Sequence, residues 1–348
     1  MRGEQWDILR KAASGQPQEP HAAFIVDSPW IPGLLGISTI DYICLPSVWF
    51  RANMEVMRRF PSAVFLPGFW VEMGMAAEPS GFGCRLSLFE SQPPAIHPLT
   101  ADIGDLDRLH SPDPRRDGLM PIILAQYRHV LPMVRAEGMD IRVIAARGPL
   151  ALAAHLMGVT DFLIAMKTDP ERTHRLLKMT TRTVLQWLEA QAEVLPGVQA
   201  VMVLDDIMGF MGEEDYLQFA HPYMKEVLSL PVALKILHND TPNPACFRFL
   251  GDLGVDIFNF SHKIALPDMR RLAGAKVSLM GNISPLDVMV NGSPEENYRA
   301  ARQVLRDNAG NPRFLLSAGG GLSPGTRGAN LEAILRAVSD SGARAVSS

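Results

Sequence analysis

Short apolar or β-branched runs recur along this chain, end near Gly, Pro, Asn or Asp, and are followed by longer helical patterns. That rhythm is the mark of repeated β-α units. Eight such runs are present, at 24–27, 63–67, 141–146, 200–205, 232–238, 255–260, 276–281 and 314–317. Eight strands alternating with helices predict a closed (β/α)8 barrel, the TIM-barrel architecture, in a single domain spanning 1–348. Between them, 169–194 reads as a helix that opens with Asp-Pro and repeats Leu176, Leu177, Val184, Leu185 and Leu188 at helical spacing. A second helix is predicted over 294–308, with Ser293 as its cap. Residues 1–22 read as an N-terminal helical extension, and 91–121, rich in Pro and Asp, as a long surface loop.

Composition narrows the partners. The formal charge is -4, and 33 Lys and Arg are scattered among 37 Asp and Glu without a basic run, which argues against a nucleic-acid surface. No apolar stretch approaches the roughly 20 residues that span a bilayer. Three cysteines, Cys44, Cys84 and Cys246, lie far apart without a C-x-x-C pair, which suits a reducing compartment. The first ten residues lack the apolar core of a signal peptide, so a cytoplasmic protein acting on small molecules is expected.

A barrel concentrates function on the loops after the carboxyl ends of its strands. Those ends supply Asp27 and Ser28, Glu72, Arg147, Asp205 and Asp206, His238 and Asp240, Asn259 with Ser261 and His262, Asn282, and Ser317. His238 and Asp240 stand two apart where an apolar run gives way to a loop, so in extended backbone their side chains point the same way. Together they can hold a metal or share a proton with a substrate. Asp205 and Asp206 supply a general acid or base, or cap the next helix. Trp49, Phe69, Trp70, Met208 and Phe210 gather near the same loops and predict an apolar substrate pocket, with Arg147 and Asn282 as its polar contacts.

Several ordered segments carry a resemblance. Leu109-His-Ser-Pro-Asp-Pro-Arg-Arg-Asp-Gly118, Arg147-Gly-Pro-Leu-Ala-Leu-Ala153, Val203-Leu-Asp-Asp206 and Phe219-Ala-His-Pro-Tyr223 come first. Gly281-Asn-Ile-Ser-Pro285, Gly292-Ser-Pro-Glu-Glu296, Gly319-Gly-Gly-Leu-Ser-Pro324 and Asn330-Leu-Glu-Ala-Ile334 follow. In order and spacing the series resembles the uroporphyrinogen decarboxylase (URO-D) superfamily over nearly the whole chain, which again implies a (β/α)8 barrel. The true decarboxylases carry an Arg-Gln-Ala-Gly-Arg motif whose arginines hold tetrapyrrole carboxylates, and a Gly-His-Gly turn near the C-terminus. Neither is present: the turn reads Gly319-Gly320-Gly321, and Arg51, Arg58 and Arg59 lie in a helical pattern that reads as a solvated face.

The chain is more similar to the methyltransferases that exchange a methyl group with a corrinoid protein. In their thiol-methylating members, His-x-Cys and a second Cys in the glycine-rich turn bind zinc. Here His238 is kept, Asp240 replaces the first Cys, and Gly320 stands at the second Cys position. Loss of two thiolates hardens the site, so the resemblance implies an ether-demethylating relative that acts on an oxygen-bearing substrate. It further implies a metal, with zinc expected, at His238 and Asp240, and a corrinoid carried by a partner protein whose reduced cobalt takes the methyl; Glu72, on a loop after a barrel strand that pairs an acid with aromatic walls, is the expected third ligand. The alternatives are a decarboxylase or other lyase using Asp205, Asp206 and His238 as acid and base, and a non-catalytic binding relative. The tetrapyrrole decarboxylases also imply a homodimer.

Overall fold

The computed structural model describes residues 1–26, 30–308 and 310–345. Eight parallel strands form one sheet: β1 (Ala22–Ile25), β2 (Ala63–Leu66), β3 (Val143–Arg147), β4 (Ala200–Leu204), β5 (Leu234–Asn239), β6 (Ile257–Phe260), β7 (Ser278–Ile283) and β8 (Phe314–Ala318). Their order is β2-β1-β8-β7-β6-β5-β4-β3. The sheet curls into a nearly closed barrel, with a seam between β2 and β3, which are not hydrogen-bonded to each other among the described residues. Each expected strand is present with its ends moved by no more than two residues. The Asp27 end of the first run, with Ser28, lies outside the described residues.

Side chains alternate across each strand, and both faces are buried. Ile25, Val64, Val143, Met202, Ile236, Ile257, Met280 and Leu315 fill the barrel interior. Phe24, Phe65, Ile144, Val203, Leu237, Phe258, Leu279 and Leu316 face outward to the helices. The helices start where the sequence provides caps. Asp169 accepts from the Arg172 amide at 3.1 Å to open Pro170–Val194. Ser293 and Glu296 form a reciprocal capping box for Pro294–Asp307.

The expected N-terminal helix is present as Gly3–Ser14, and 91–121 needs correction. The N-terminal extension is the floor of the barrel: from the helix Gly3–Ser14 and its flank, Met1, Trp6, Leu9, Ala12 and Ala13 join the interior cluster. Gln5 Nε2 donates to the Ala63 carbonyl at the start of β2 (2.8 Å), Ser278 Oγ at the start of β7 donates to the Ala12 carbonyl (2.6 Å), and Asp140 N, just ahead of β3, donates to Met1 O (3.0 Å). The helix therefore bridges the seam from below. The segment 91–121 is not a plain loop. Ala95–His97 pairs antiparallel with Arg85–Ser87, and Ile103–Arg108 forms a 3-10 turn capped by Asp102. Strands of three residues are too short to show a period in sequence.

Among the described residues no single helix is long and apolar enough to cross a membrane; Pro149–Met157 and Val159–Thr168 reach that length only together and meet at 103°.

Candidate active site at the barrel mouth

The interior changes character at the strand ends. Two residues beyond an apolar inward position, β3 passes from Ala145 to Arg147, β5 from Ile236 to His238, β6 from Ile257 to Asn259, β7 from Met280 to Asn282 and β8 from Leu315 to Ser317. The same step carries Leu204 of β4 to Asp206. Period-two geometry thus sets a polar ring on top of an apolar barrel.

Within the ring, one ligand atom each from Asp206, His238 and Asp240 lie within 4.8 Å of one another. His238 Nε2 is 3.7 Å from Asp206 Oδ1, which also accepts from the Asp240 amide at 3.1 Å. The other imidazole nitrogen, Nδ1, lies 2.7 Å from Asn259 Oδ1. Asn259 Nδ2 donates to the carbonyls of Met280 (2.9 Å) and Ala318 (3.0 Å). Those two carbonyls orient the amide with its nitrogen toward them, so Oδ1 accepts and His238 carries its proton on Nδ1. Nε2 then turns a lone pair toward the two carboxylates, the form that ligates a metal or accepts a proton.

The carboxylate beside His238 and Asp240 is Asp206 rather than Glu72, which corrects the expected ligand set. Glu72 is buried, and its Oε1 accepts from Arg147 Nη2 at 3.1 Å. The reason is the seam: with no strand pairing between β2 and β3, the loop after β2 closes onto the end of β3 through this ion pair. Glu78 adds a second tie by accepting from the Arg147 amide at 3.0 Å, and burial pushes its carboxyl up from the usual range.

Asp205 has the opposite parity to Asp206 and turns away from the mouth. It is fully buried, and it accepts from the amides of Leu150 (3.0 Å) and Ala151 (3.1 Å) at the start of Pro149–Met157 and from Ile207 (3.2 Å). Burial pushes it up to about 7 against those amides. A Cβ on Gly148 would come 2.3 Å from Asp205 Oδ2, so glycine is required beside this cap. The sequence could not separate the two acids.

A second glycine, Gly320, stands beside the cluster itself. A Cβ there would lie 2.9 Å from Asp240 Oδ2, so the Asp240 carboxylate fills the space beside the glycine turn.

The expected substrate residues divide. Trp49, Phe69 and Met208 are buried core side chains, with Trp49 Nε1 donating to the Trp70 carbonyl at 3.2 Å. Asn282 Nδ2 donates to the Ile264 carbonyl at 2.8 Å and pins the loop after β6. Phe210 is 57% exposed on the loop after β4. Trp70 remains at the mouth, partly buried, with the Arg147 guanidinium 5.7 Å from its ring centroid. His262 stands outside the metal-ligand cluster.

A barrel with a polar ring and an Asp-His-Asp cluster at its mouth belongs to the enzymes that work at strand ends. The family model described as Uroporphyrinogen decarboxylase (URO-D) matches residues 36–341, and the chain belongs to that family. A uroporphyrinogen decarboxylase from Thermus thermophilus is 24% identical over 270 residues, covering 75% of each chain. A methylated-thiol–coenzyme M methyltransferase from Methanosarcina mazei is 25% identical over 275 residues, covering 76% of this chain and 70% of that one. A solved methyltransferase from Methanosarcina mazei aligns with a TM-score of 0.81 at 19% identity over 97% of this chain and 98% of its own, a shared fold. Decarboxylases and methyltransferases therefore stand about equally near.

Proposed function

We propose that the chain is a methyltransferase that holds a divalent metal on Asp206, His238 and Asp240 and demethylates a small oxygen-bearing substrate in concert with a separate corrinoid protein. The cluster itself carries the proposal: three convergent donors with the His238 tautomer set by Asn259. One imidazole and two carboxylates suit a catalytic zinc that keeps a position open for an oxygen ligand. Among the described residues no cysteine joins the cluster.

Zinc at this place would polarise the substrate oxygen as a Lewis acid. The chain's own part is positioning. His238 is fixed through Asn259, Asp206 is tied to the Asp240 amide, and Gly320 leaves room for the Asp240 carboxylate. The methyl carbon would pass to the reduced cobalt of the corrinoid partner, whose electron pair makes the new bond, while the oxygen keeps the pair of the broken C–O bond. Phe210 and Leu286, 57% and 59% exposed on loops after β4 and β7, give the rim an apolar face for a second protein. Arg58 and Arg59 are tied to Glu137 and Glu332 on the outer surface, leaving a polycarboxylate little to bind through them.

Metal analysis of untagged protein, followed by methyl-transfer assays with a methoxy substrate and a corrinoid protein, tests this. About one divalent ion per chain is expected, with activity lost on chelation. Full activity after exhaustive chelation would refute it and bring forward acid-base lyase chemistry at His238 and Asp206.

A further inference from the structure

We infer that Arg147 anchors an anionic group of the substrate, so that the methyl donor is a carboxylate-bearing molecule rather than a neutral ether. This rests on the methyl-transfer role proposed above and names the class of donor it takes.

Arg147 is the last residue of β3 and has the inward parity of Val143 and Ala145. Its side chain is 9% exposed. A guanidinium has five N–H donors, and one nitrogen, Nη2, is engaged by Glu72. Among the described residues Nε and Nη1 make no hydrogen bond. Nη2 carries a second hydrogen, which completes a bidentate edge with Nε or with Nη1 on the side that Glu72 does not take, so this nearly buried arginine at the mouth keeps one fork for a carboxylate.

Beyond Glu72 and Glu78, the guanidinium meets a neutral imidazole and an aromatic wall. Burial, and then the charge of Arg147, lowers His155 to about 4, so it stays neutral at neutral pH and Arg147 is the fixed cation of this edge. Glu72 occupies one nitrogen and leaves the rest of the fork. The Trp70 ring lies beside the guanidinium, its carbonyl held by Trp49, and offers a flat wall to an apolar skeleton. Arg147, Leu204 and His238 are register partners in one row across β3, β4 and β5. Two strand spacings, about 10 Å, therefore separate Arg147 from His238 at the backbone, a span that one small molecule can bridge.

A purely structural Arg147, clamping the seam through Glu72 and Glu78, would show no such preference. Isothermal titration of the full chain with 4-methoxybenzoate and with 4-methoxybenzamide separates the two. The carboxylate should bind about tenfold tighter than the amide or better. Arg147→Lys, which keeps the charge and loses the fork, should remove most of that preference. Glu72→Gln, which frees the guanidinium, should increase it, so the inference is exposed even if Arg147 variants fold poorly. Equal binding of the pair, no binding of the carboxylate, or a preference that survives Arg147→Lys, as for a carboxylate held elsewhere, overturns the anchor. These titrations move no methyl group. A carboxylate preference without methyl transfer would sink the proposed reaction and keep the anchor, whereas equal transfer from methoxybenzene and 4-methoxybenzoate would do the reverse.

Discussion

Where the barrel strands begin, the inward column carries Val64, Val143, Ala200 and Leu234 and is closed by Trp6 and Leu9 from the N-terminal helix. Where they finish, the same column carries Arg147, His238, Asn259, Asn282 and Ser317 and continues to Asp206. The lower end is apolar and plugged, so it gains stability from burial. The upper end gathers carboxylates and polar side chains whose desolvation costs stability, and Ser317 Oγ is buried there without a partner among the described residues. Structural and chemical duties are therefore separated by about two turns of the pleat, and a substitution should reveal which end it touches.

The sharpest way to break this division is Trp6→Ala. It should lower unfolding free energy by about 3 kcal/mol in urea titrations while the activity of the folded fraction is unchanged; lost activity in fully folded protein would mean the floor reaches the mouth. His238→Ala should do the opposite, lowering methyl transfer and metal affinity by about a hundredfold or more, with the urea midpoint of the metal-free protein little moved. Asn259→Ala, which removes the acceptor that sets the His238 tautomer, should weaken metal binding by about tenfold and shift the His238 ring-nitrogen resonances toward the other tautomer. An unchanged spectrum would remove Asn259 from that role.

A further effect is confined to acid pH. His155 in the unfolded chain takes its proton near 6.5, but the folded protein holds it neutral down to about 4. In that window the unfolded state binds more protons, so stability falls as pH drops. His155→Phe should flatten the acid limb of a melting-temperature profile between those values; an identical slope in both proteins would show that other groups set it.

Much of the fold was legible because barrel strands are short apolar runs bounded by turn residues. The His238–Asp240 pairing was legible for the same local reason, since two residues in extended backbone share a side. What lay beyond reading depends on non-local geometry. Asp205 and Asp206 could not be told apart because β4 is buried on both faces, so no polar alternation shows which parity points inward. Glu72 was assigned to the metal because nothing local reveals the β2-β3 seam that delivers Arg147 to it. Asn259 was visible as a strand-end residue, yet its role requires the cross-strand register that sets it opposite His238. Trp49, Phe69 and Met208 looked like pocket walls because apolar core and apolar pocket share one composition.

The contact between Gly320 and Asp240 also gives the site a direction of change. Any side chain at 320 starts from a backbone φ of 139° and places its first carbon 2.9 Å from the Asp240 carboxylate. A thiol restored at 320 while Asp240 remains would meet both strain and collision. A thiol at 240, being smaller, would relieve the crowding. Conversion toward a sulfur-rich centre therefore has a permitted first step at 240 and an obstructed one at 320, so the order in which the two replacements are made decides whether the intermediate protein keeps its mouth intact.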